Sequence, residues 1–179
     1  MAAPKVEPKI YTAVVLDFET GGLNCVDCAC TQLAMQAVRL DNWTVLERYA
    51  KYIAPYRKLD IGGAPKRKVL KTRQALVQEE AGMSMKYEPV ALTYSAITMD
   101  MLYNQGVDLK EVAQDVIEFG KRNTLSKGQQ CKPILIGQNI TFDIGFLQQL
   151  IAYAGLMPEF EKVFAGKVDF YGNFQPHYV

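Results

Sequence analysis

Long apolar runs are missing from this chain of 179 residues, and so is a targeting pattern at its start. No run approaches the roughly 18 apolar residues that a membrane-spanning helix needs. The first residues, 1–9, mix charge with proline. We therefore expect a soluble, cytoplasmic protein without a membrane partner.

Excess charge is also missing, because the chain has 20 Lys and Arg and 19 Asp and Glu, for a formal net charge of +1. No global field draws such a protein to nucleic acid or to an anionic membrane, so any polyanion must be held locally. Hydrophobic residues make up 49% of the chain. This length and composition predict one domain, residues 1–179, with a sizeable core, and we see no internal repeat.

The four cysteines do not form the regular framework of a small secreted protein. Cys25, Cys28 and Cys30 fall in one segment and Cys131 lies far along the chain. Their spacing is compatible with structural zinc, with Cys131 as a fourth ligand. Ordinary reduced thiols are the alternative that we favour, because structural zinc usually draws on a second close pair of ligands.

Alternating and helical patterns predict an α/β fold with a mixed sheet flanked by helices. Runs rich in β-branched and aromatic residues form a predicted antiparallel meander of three strands, followed by helical segments and a further short strand. The predicted strands are 10–16, 32–40, 45–53 and 133–136, and the predicted helices are 98–105, 108–123 and a segment from about 142 to Gly155.

Residues 57–89 interrupt this pattern, and we interpret them as a basic insertion or long loop. Seven cations lie in its first part: Arg57, Lys58, Lys66, Arg67, Lys68, Lys71 and Arg73. They are suited to a phosphate backbone. A solvated loop is the interpretation that we favour, since no aromatic side chains alternate with the later cations to stack on bases.

Two carboxylates close the first predicted strand. Side chains alternate along a strand, so Asp17 and Glu19 emerge on the same face while Phe18 points into the core. Neighbouring carboxylates repel unless a cation lies between them, and their oxygens suit Mg²⁺ or Mn²⁺. Acidic residues at a strand end are the simpler alternative. Gly21-Gly22 would let a ligand approach the backbone closely.

A third carboxylate, Asp143, lies on the first turn of the helix after the Gly137-Gln138-Asn139 turn. A helix N-terminus favours negative charge there, so Asp143 can be a helix stabiliser as well as a metal ligand. Asn139 is likewise a candidate cap or a candidate ligand contact.

Taken together, these segments resemble the DEDD superfamily of 3′-5′ exonucleases. Leu-Asp-Phe-Glu-Thr-Gly-Gly (16–22) is similar to its first motif, and Gly-Gln-Asn-Ile-Thr-Phe-Asp-Ile-Gly-Phe-Leu (137–147) to its second. Residues 91–102 resemble the stretch before the middle helix in the branch that contains the proofreading epsilon subunit of bacterial DNA polymerase III.

The resemblance implies a ribonuclease H-like fold and an enzyme that removes nucleotides from 3′ ends with two divalent ions, Mg²⁺ or Mn²⁺. Asp17, Glu19 and Asp143 would be three of its four acidic ligands. The implied substrate is the single-stranded or frayed 3′ end of DNA, in replication, proofreading or repair, and the implied partner is a DNA polymerase.

The same resemblance implies a nucleic-acid site around these metal ligands. Thr20 and Gly21 would line the pocket of the 3′-terminal nucleotide, with Leu23 and Phe146 near its base or sugar and Asn139 beside them. Phe142 shares the helix of Phe146, and we expect it in the core.

The family's third motif, an Asp preceded by His or Tyr, is not found after Asp143. We expect His177 to enter a strand rather than to act as the base, and Asp169 to lie in a loop outside the metal site. The sequence therefore predicts an exonuclease domain that is incomplete at its C-terminal end and impaired in activity. A non-catalytic nucleic-acid-binding module and an RNA-trimming relative are the alternatives.

Overall fold

The computed structural model describes residues 7–59, 72–169 and 174–176. Its strands are β1 (Thr12–Thr20), β2 (Cys30–Arg39), β3 (Val45–Tyr52), β4 (Ile134–Gly137), β5 (Gly166–Asp169) and β6 (Phe174–Pro176). Its helices are α1 (Arg73–Gly82), α2 (Pro89–Ser95), α3 (Met99–Gln105), α4 (Leu109–Arg122), α5 (Ile140–Ala154) and α6 (Met157–Val163), with a 3₁₀ turn at Gln129–Cys131.

The six strands form one mixed sheet in the order β3-β2-β1-β4-β5-β6. The first three are the predicted antiparallel meander, while β4 pairs parallel with β1 and β5 parallel with β4. Strand β6 returns antiparallel to β5. The predicted fold class is confirmed: a mixed sheet flanked by helices, consistent with a ribonuclease H-like arrangement.

Helices α4 and α5 pack against one another and bury one face of the sheet. The Asp108 carboxylate caps α4 by accepting a hydrogen bond from the Lys110 backbone N–H at 2.8 Å, as a capping residue should. The apolar face of α4 is buried as a whole: Leu109, Val112, Val116 and Phe119. The core therefore lies between β1, β2 and this helix pair.

Three parts of the chain differ from the sequence-based expectation. Helices α2 and α6 were not predicted, because seven residues give too few turns for a clear apolar period and neither helix has the side-chain N-cap that α3 has at Thr98. Asp169 was expected in a loop, and this was wrong, since it is the last residue of β5, paired with Gly137 of β4. Strand pairing across the sheet edge, not local composition, places it there.

Helix α1 lies within the segment 57–89, of which residues 60–71 are outside the described part of the chain. Four of the seven cations of that segment, Lys66, Arg67, Lys68 and Lys71, are therefore outside it too. His177 also falls outside the described residues. Within the described ranges, no helix has the length and apolar character that crossing a bilayer requires.

Candidate nuclease site

The carboxyl end of β1 carries the predicted pair of carboxylates. Asp17 is exposed and Glu19 half-buried, whereas Phe18 between them is buried. Strand alternation therefore places both acids on the less covered side of the sheet and the aromatic ring in the core, as predicted.

Asp143 lies next to this strand end. It is on the first turn of α5, is only 3% exposed, and accepts a hydrogen bond from the Phe18 backbone N–H at 2.9 Å. The backbone that joins Asp17 to Glu19 thus holds the third carboxylate in place. This contact brings Asp143 to the end of β1, whereas the convergence of the three carboxylates in one metal site stays a prediction.

The pKa values of all three carboxylates are raised, chiefly by burial. Burial, together with the charges of Asp17 and Glu19, raises the pKa of Asp143 to about 6, although the hydrogen bond from Phe18 opposes the rise. Partial burial raises the pKa of Asp17, and burial followed by the charge of Asp17 raises that of Glu19. The site is therefore short of positive charge, which a cation would supply.

These acids have the right chemistry for a hard cation but do not form a closed metal centre. Carboxylate oxygens suit Mg²⁺ and Mn²⁺. In the described part of the chain, however, no three His, Cys, Asp or Glu side chains are close enough together to hold an ion. One oxygen of Asp143 is engaged by the Phe18 N–H. The metal-ligand assignment of Asp17, Glu19 and Asp143 therefore stays a prediction.

Asp169 approaches the same edge of the sheet. Its partner Gly137 ends β4, which is parallel to β1, so the backbone of Asp169 lies at the carboxyl edge that also carries Asp17. Asp169 was expected to lie in a loop, outside the metal site. Because it is the last residue of β5, that reason for leaving it out of the metal site does not hold.

A cleft of about 420 Å³ opens beside Glu19. It lies between the loop that follows β1 and helix α2, and its lining includes Phe18, Glu19, Thr20, Gly22, Leu23, Glu88, Val90, Ala91, Tyr94 and Phe142. Leu23 on one side and Val90 and Tyr94 on the other are strongly exposed, Tyr94 at 94%. Exposed apolar side chains facing each other across a cleft are suited to a flat ligand such as a base.

Two of the predicted nucleotide contacts, Thr20 and Leu23, line this cleft, whereas Asn139 does not. The Thr20 hydroxyl donates a hydrogen bond to the Gly22 carbonyl at 2.8 Å and so shapes the loop. Asn139 is exposed with φ 51°, and its side chain makes no capping hydrogen bond. Its proposed capping role is therefore wrong, and its contact with nucleic acid stays a prediction.

Gly21 serves the chain itself rather than a ligand. A Cβ atom there would lie 2.3 Å from the Lys86 carbonyl oxygen. The Gly21 N–H also donates to the Ala29 carbonyl, and its carbonyl accepts from the Glu88 N–H. Our expectation that this glycine admits a ligand is corrected: the segment before α2 occupies the space.

The predicted roles of two phenylalanines on α5 are reversed. Phe146 is 0% exposed and belongs to the core, so it cannot touch a base or sugar. Phe142, expected in the core, is half-buried and lines the cleft. The rings are 5.0 Å apart, but Phe142 is one turn nearer the helix N-terminus and thus nearer the sheet edge.

Sequence reasoning missed the residues that hold the loop. The Gln149 side-chain amide donates to the carbonyls of Cys25 (2.5 Å) and Cys28 (3.0 Å) and accepts from the Tyr56 hydroxyl (2.5 Å). Tyr56 in turn accepts from the Cys30 N–H at 2.7 Å. The available signal was a glutamine three residues after Phe146 on a largely apolar helix.

The cysteines do not gather around one point, and all four are free thiols. Cys30 is buried, with its Sγ next to the Phe146 carbonyl and Gln149. Cys131 lies before β4, at the opposite end of the sheet from Cys25, Cys28 and Cys30. Cys131 as a fourth zinc ligand is therefore wrong.

Comparison with known proteins connects this fold to a nuclease. No family model matches the chain. Among solved structures, E. coli Exonuclease I in complex with a dT13 oligonucleotide is similar at a TM-score of 0.60 and 15% identity, over 89% of this chain and 28% of that one. The chain shares the fold of an exonuclease.

Two further Exonuclease I structures are similar. The complex of that enzyme with SSB-Ct has a TM-score of 0.54 at 16% identity, covering 80% of this chain and 24% of its own. The zinc ion bound form of the E. coli ExoI-ssDNA complex has a TM-score of 0.52 at 18% identity, with the same two coverages. This chain spans about a quarter of the Exonuclease I chains that it matches.

Proposed function

We propose that this chain is a metal-dependent 3′-5′ exonuclease domain that acts on single-stranded or frayed 3′ ends of DNA. The observation that carries the proposal is the hydrogen bond from Phe18 to Asp143, which brings a third carboxylate to the strand end of Asp17 and Glu19. The likeness of the fold to an exonuclease with bound oligonucleotide supports it.

In this proposal Asp17, Glu19 and Asp143 hold divalent ions, Mg²⁺ or Mn²⁺. Such ions supply an activated water and stabilise the departing oxygen of a phosphodiester. The raised pKa values of the three carboxylates support cation binding, because burial, and for Glu19 and Asp143 also the neighbouring charges, disfavours their ionised forms, which a cation would stabilise. Asp169 is the first candidate for a fourth ligand.

The cleft beside Glu19 would hold the terminal nucleotide. Leu23 and Tyr94 face it from opposite sides, so that a base between them would place its 3′ linkage near the carboxylates. Stacking of this kind is tolerant of sequence, because every base has a π-face. The proposed enzyme therefore trims ends without reading their sequence.

The proposal includes several finer features that are predictions. A proofreading, replication or repair setting, a DNA polymerase partner and a cytoplasmic location are predictions. The same holds for an incomplete C-terminal side of the domain and for the boundaries of the basic segment 57–89.

Degradation of 5′-labelled single-stranded DNA tests the proposal. With Mn²⁺ or Mg²⁺ we expect a ladder of products shortened from the 3′ end, at a slow rate if ligands lie outside this chain. Asp17→Asn should abolish the ladder, whereas Glu161→Gln, an exposed acid on α6, should not. Products shortened from the 5′ end, or no difference between the two variants, would contradict the assignment.

A non-catalytic nucleic-acid-binding module is the second candidate. It is favoured by one observation, that no three metal-ligating side chains converge among the described residues. Wild-type protein that binds single strands but leaves DNA and RNA intact with Mn²⁺ present would support it. Degradation of RNA but not DNA would support the RNA-trimming alternative instead.

A further inference from the structure

A second concave surface lies at the opposite end of the sheet from the carboxylates. This basic cleft has a volume of about 670 Å³, and four lysines line it: Lys121, Lys127, Lys132 and Lys162. They come from the end of α4, the connection to β4 and the end of α6. Three separate parts of the chain thus bring positive charge to one place.

The lysines of the basic cleft are largely unneutralised. None of its lining residues is acidic. Lys121 pairs with Glu118 at 2.9 Å, but Lys127, Lys132 and Lys162 form no ion pair among the described residues. In a chain with a net charge of only +1, this is a local excess of positive charge. Such a surface attracts a polyanion.

The lining favours phosphates as the ligand. It contains no aromatic side chain, so nothing in it would stack on a base. Lysine ammonium groups act as mobile point charges, which suits the repeating phosphates of a nucleic-acid backbone. Gly128, with φ 123°, adds a residue without a side chain to the lining of the basic cleft.

We propose that the basic cleft binds the sugar-phosphate backbone of a single-stranded nucleic acid, at a site separate from the candidate nuclease site. Ser126 in this cleft accepts a hydrogen bond from the Ile10 N–H, which places the cleft at the start of β1. Ile10 lies seven positions before Asp17 in extended chain, which spans about 23 Å.

This distance sets a minimum length for a strand that occupies both sites. At an axial rise of about 3.4 Å per nucleotide of a stacked strand, about 23 Å corresponds to about seven nucleotides. A strand shorter than this fills one site only, and a longer one reaches both. This part of the inference rests on the proposed function, because it takes the cleft at Leu23 to hold the 3′ end.

Binding without metal separates the two proposals. Fluorescence anisotropy in EDTA measures the affinity for labelled single strands of about 4 and about 20 nucleotides. The wild type is compared with the triple variant Lys127→Glu/Lys132→Glu/Lys162→Glu. We expect the longer strand to lose at least about tenfold in affinity, and the slope of log K against log[salt] to fall by about 2, at about 0.7 per phosphate contact. The short strand should be affected much less.

Two controls address charge and folding. Lys110→Glu, an exposed lysine at the start of α4, reverses the same charge as Lys127→Glu elsewhere on the surface and should leave binding unchanged. The triple Lys→Gln variant removes the charges without reversing them and should also lower affinity for the longer strand. Thermal melts check that each variant is folded.

The inference is overturned if the triple variants bind the longer strand as wild type does, and the proposed exonuclease would survive that result. It is also overturned if wild type binds no strand. A third contrary result is displacement of the labelled strand by poly-glutamate as effective as that by unlabelled single strand at equal charge, since the cleft would then not distinguish nucleic acid from an acidic peptide. Binding through the lysines without any nuclease activity would leave the basic cleft standing and contradict only the proposed function.

Discussion

The backbone N–H of Phe18 donates a hydrogen bond to Oδ1 of Asp143, 2.9 Å away and 125 positions along the chain. This bond joins the end of β1 to the first turn of α5. It explains why a nearly buried acid is tolerated beside two others, because a donor partly offsets its desolvation.

Asp143→Asn should stabilise the metal-free protein at neutral pH. The pKa of Asp143 is raised to about 6 in the folded state from an ordinary 3.8. Folding thus disfavours the ionised form of Asp143. The wild-type protein has its full stability below the ordinary pKa of this carboxyl group and loses part of it as the pH rises through about 6. We expect the free energy of unfolding to rise by about 1–3 kcal/mol above pH 6.

Urea unfolding in EDTA as a function of pH measures this. The gain should vanish near pH 4, because wild-type Asp143 is then protonated as well. Glu161→Gln, an exposed acid, is the control and should change little. A gain that is independent of pH would show that the carboxylate charge is not its cause.

Divalent ions should stabilise wild type but not Asp17→Asn. An ion that binds the folded state stabilises it by RT ln(1 + [L]/Kd) and so raises the melting temperature, and it also offsets the negative charges of Asp17, Glu19 and Asp143. We expect a small upward shift with millimolar Mn²⁺ or Mg²⁺, since three carboxylates are few ligands for two ions. Calorimetry that detects two tightly bound ions would point to a further ligand, with Asp169 examined first.

Tyr94→Ala should weaken the binding of a single strand at its 3′ end. The ring is 94% exposed at the cleft opposite Leu23, so its loss removes stacking without disturbing the core. We expect a loss of about 1–3 kcal/mol in binding free energy, measured by anisotropy without metal. The salt slope should not change, because no charge is removed.

Tyr103→Ala is the matched control for this experiment. Tyr103 is 70% exposed on α3 and does not line the cleft. Equal losses of affinity in both variants would mean that the cleft is not the binding surface.

Gln149→Leu should destabilise the fold and loosen the loop after β1. It leaves the carbonyls of Cys25 and Cys28 without their donor and the Tyr56 hydroxyl without its acceptor. Unsatisfied buried groups of this kind predict a cost of about 2–4 kcal/mol in unfolding free energy. Gln148→Leu, the exposed neighbour, should cost far less.

Hydrogen exchange locates the effect of Gln149→Leu. We expect faster exchange in residues 21–29 than in α4, because the lost bonds tie that loop to α5. Uniformly faster exchange would show a global loss of stability with no particular effect on the loop.

Local patterns were enough to predict much of this fold. Alternation placed Phe18 in the core and its neighbours Asp17 and Glu19 on the other side. The predicted helices 98–105 and 108–123 correspond to α3 and α4, which Thr98 and Asp108 cap. These features depend on residues a few positions apart, so the chain carries them before it folds.

The sequence by itself therefore determined the meander, the main helices and the pair of acids on β1. Only the tertiary structure decided that Phe142 borders the cleft while Phe146 is buried. It also decided that the backbone of Lys86, rather than a ligand, lies against Gly21. Only it revealed that Gln149 ties down the loop and that four lysines share one cleft. The physical reason is that each of these depends on which distant segment packs alongside, and strand pairing and helix packing set that over separations that no local period encodes.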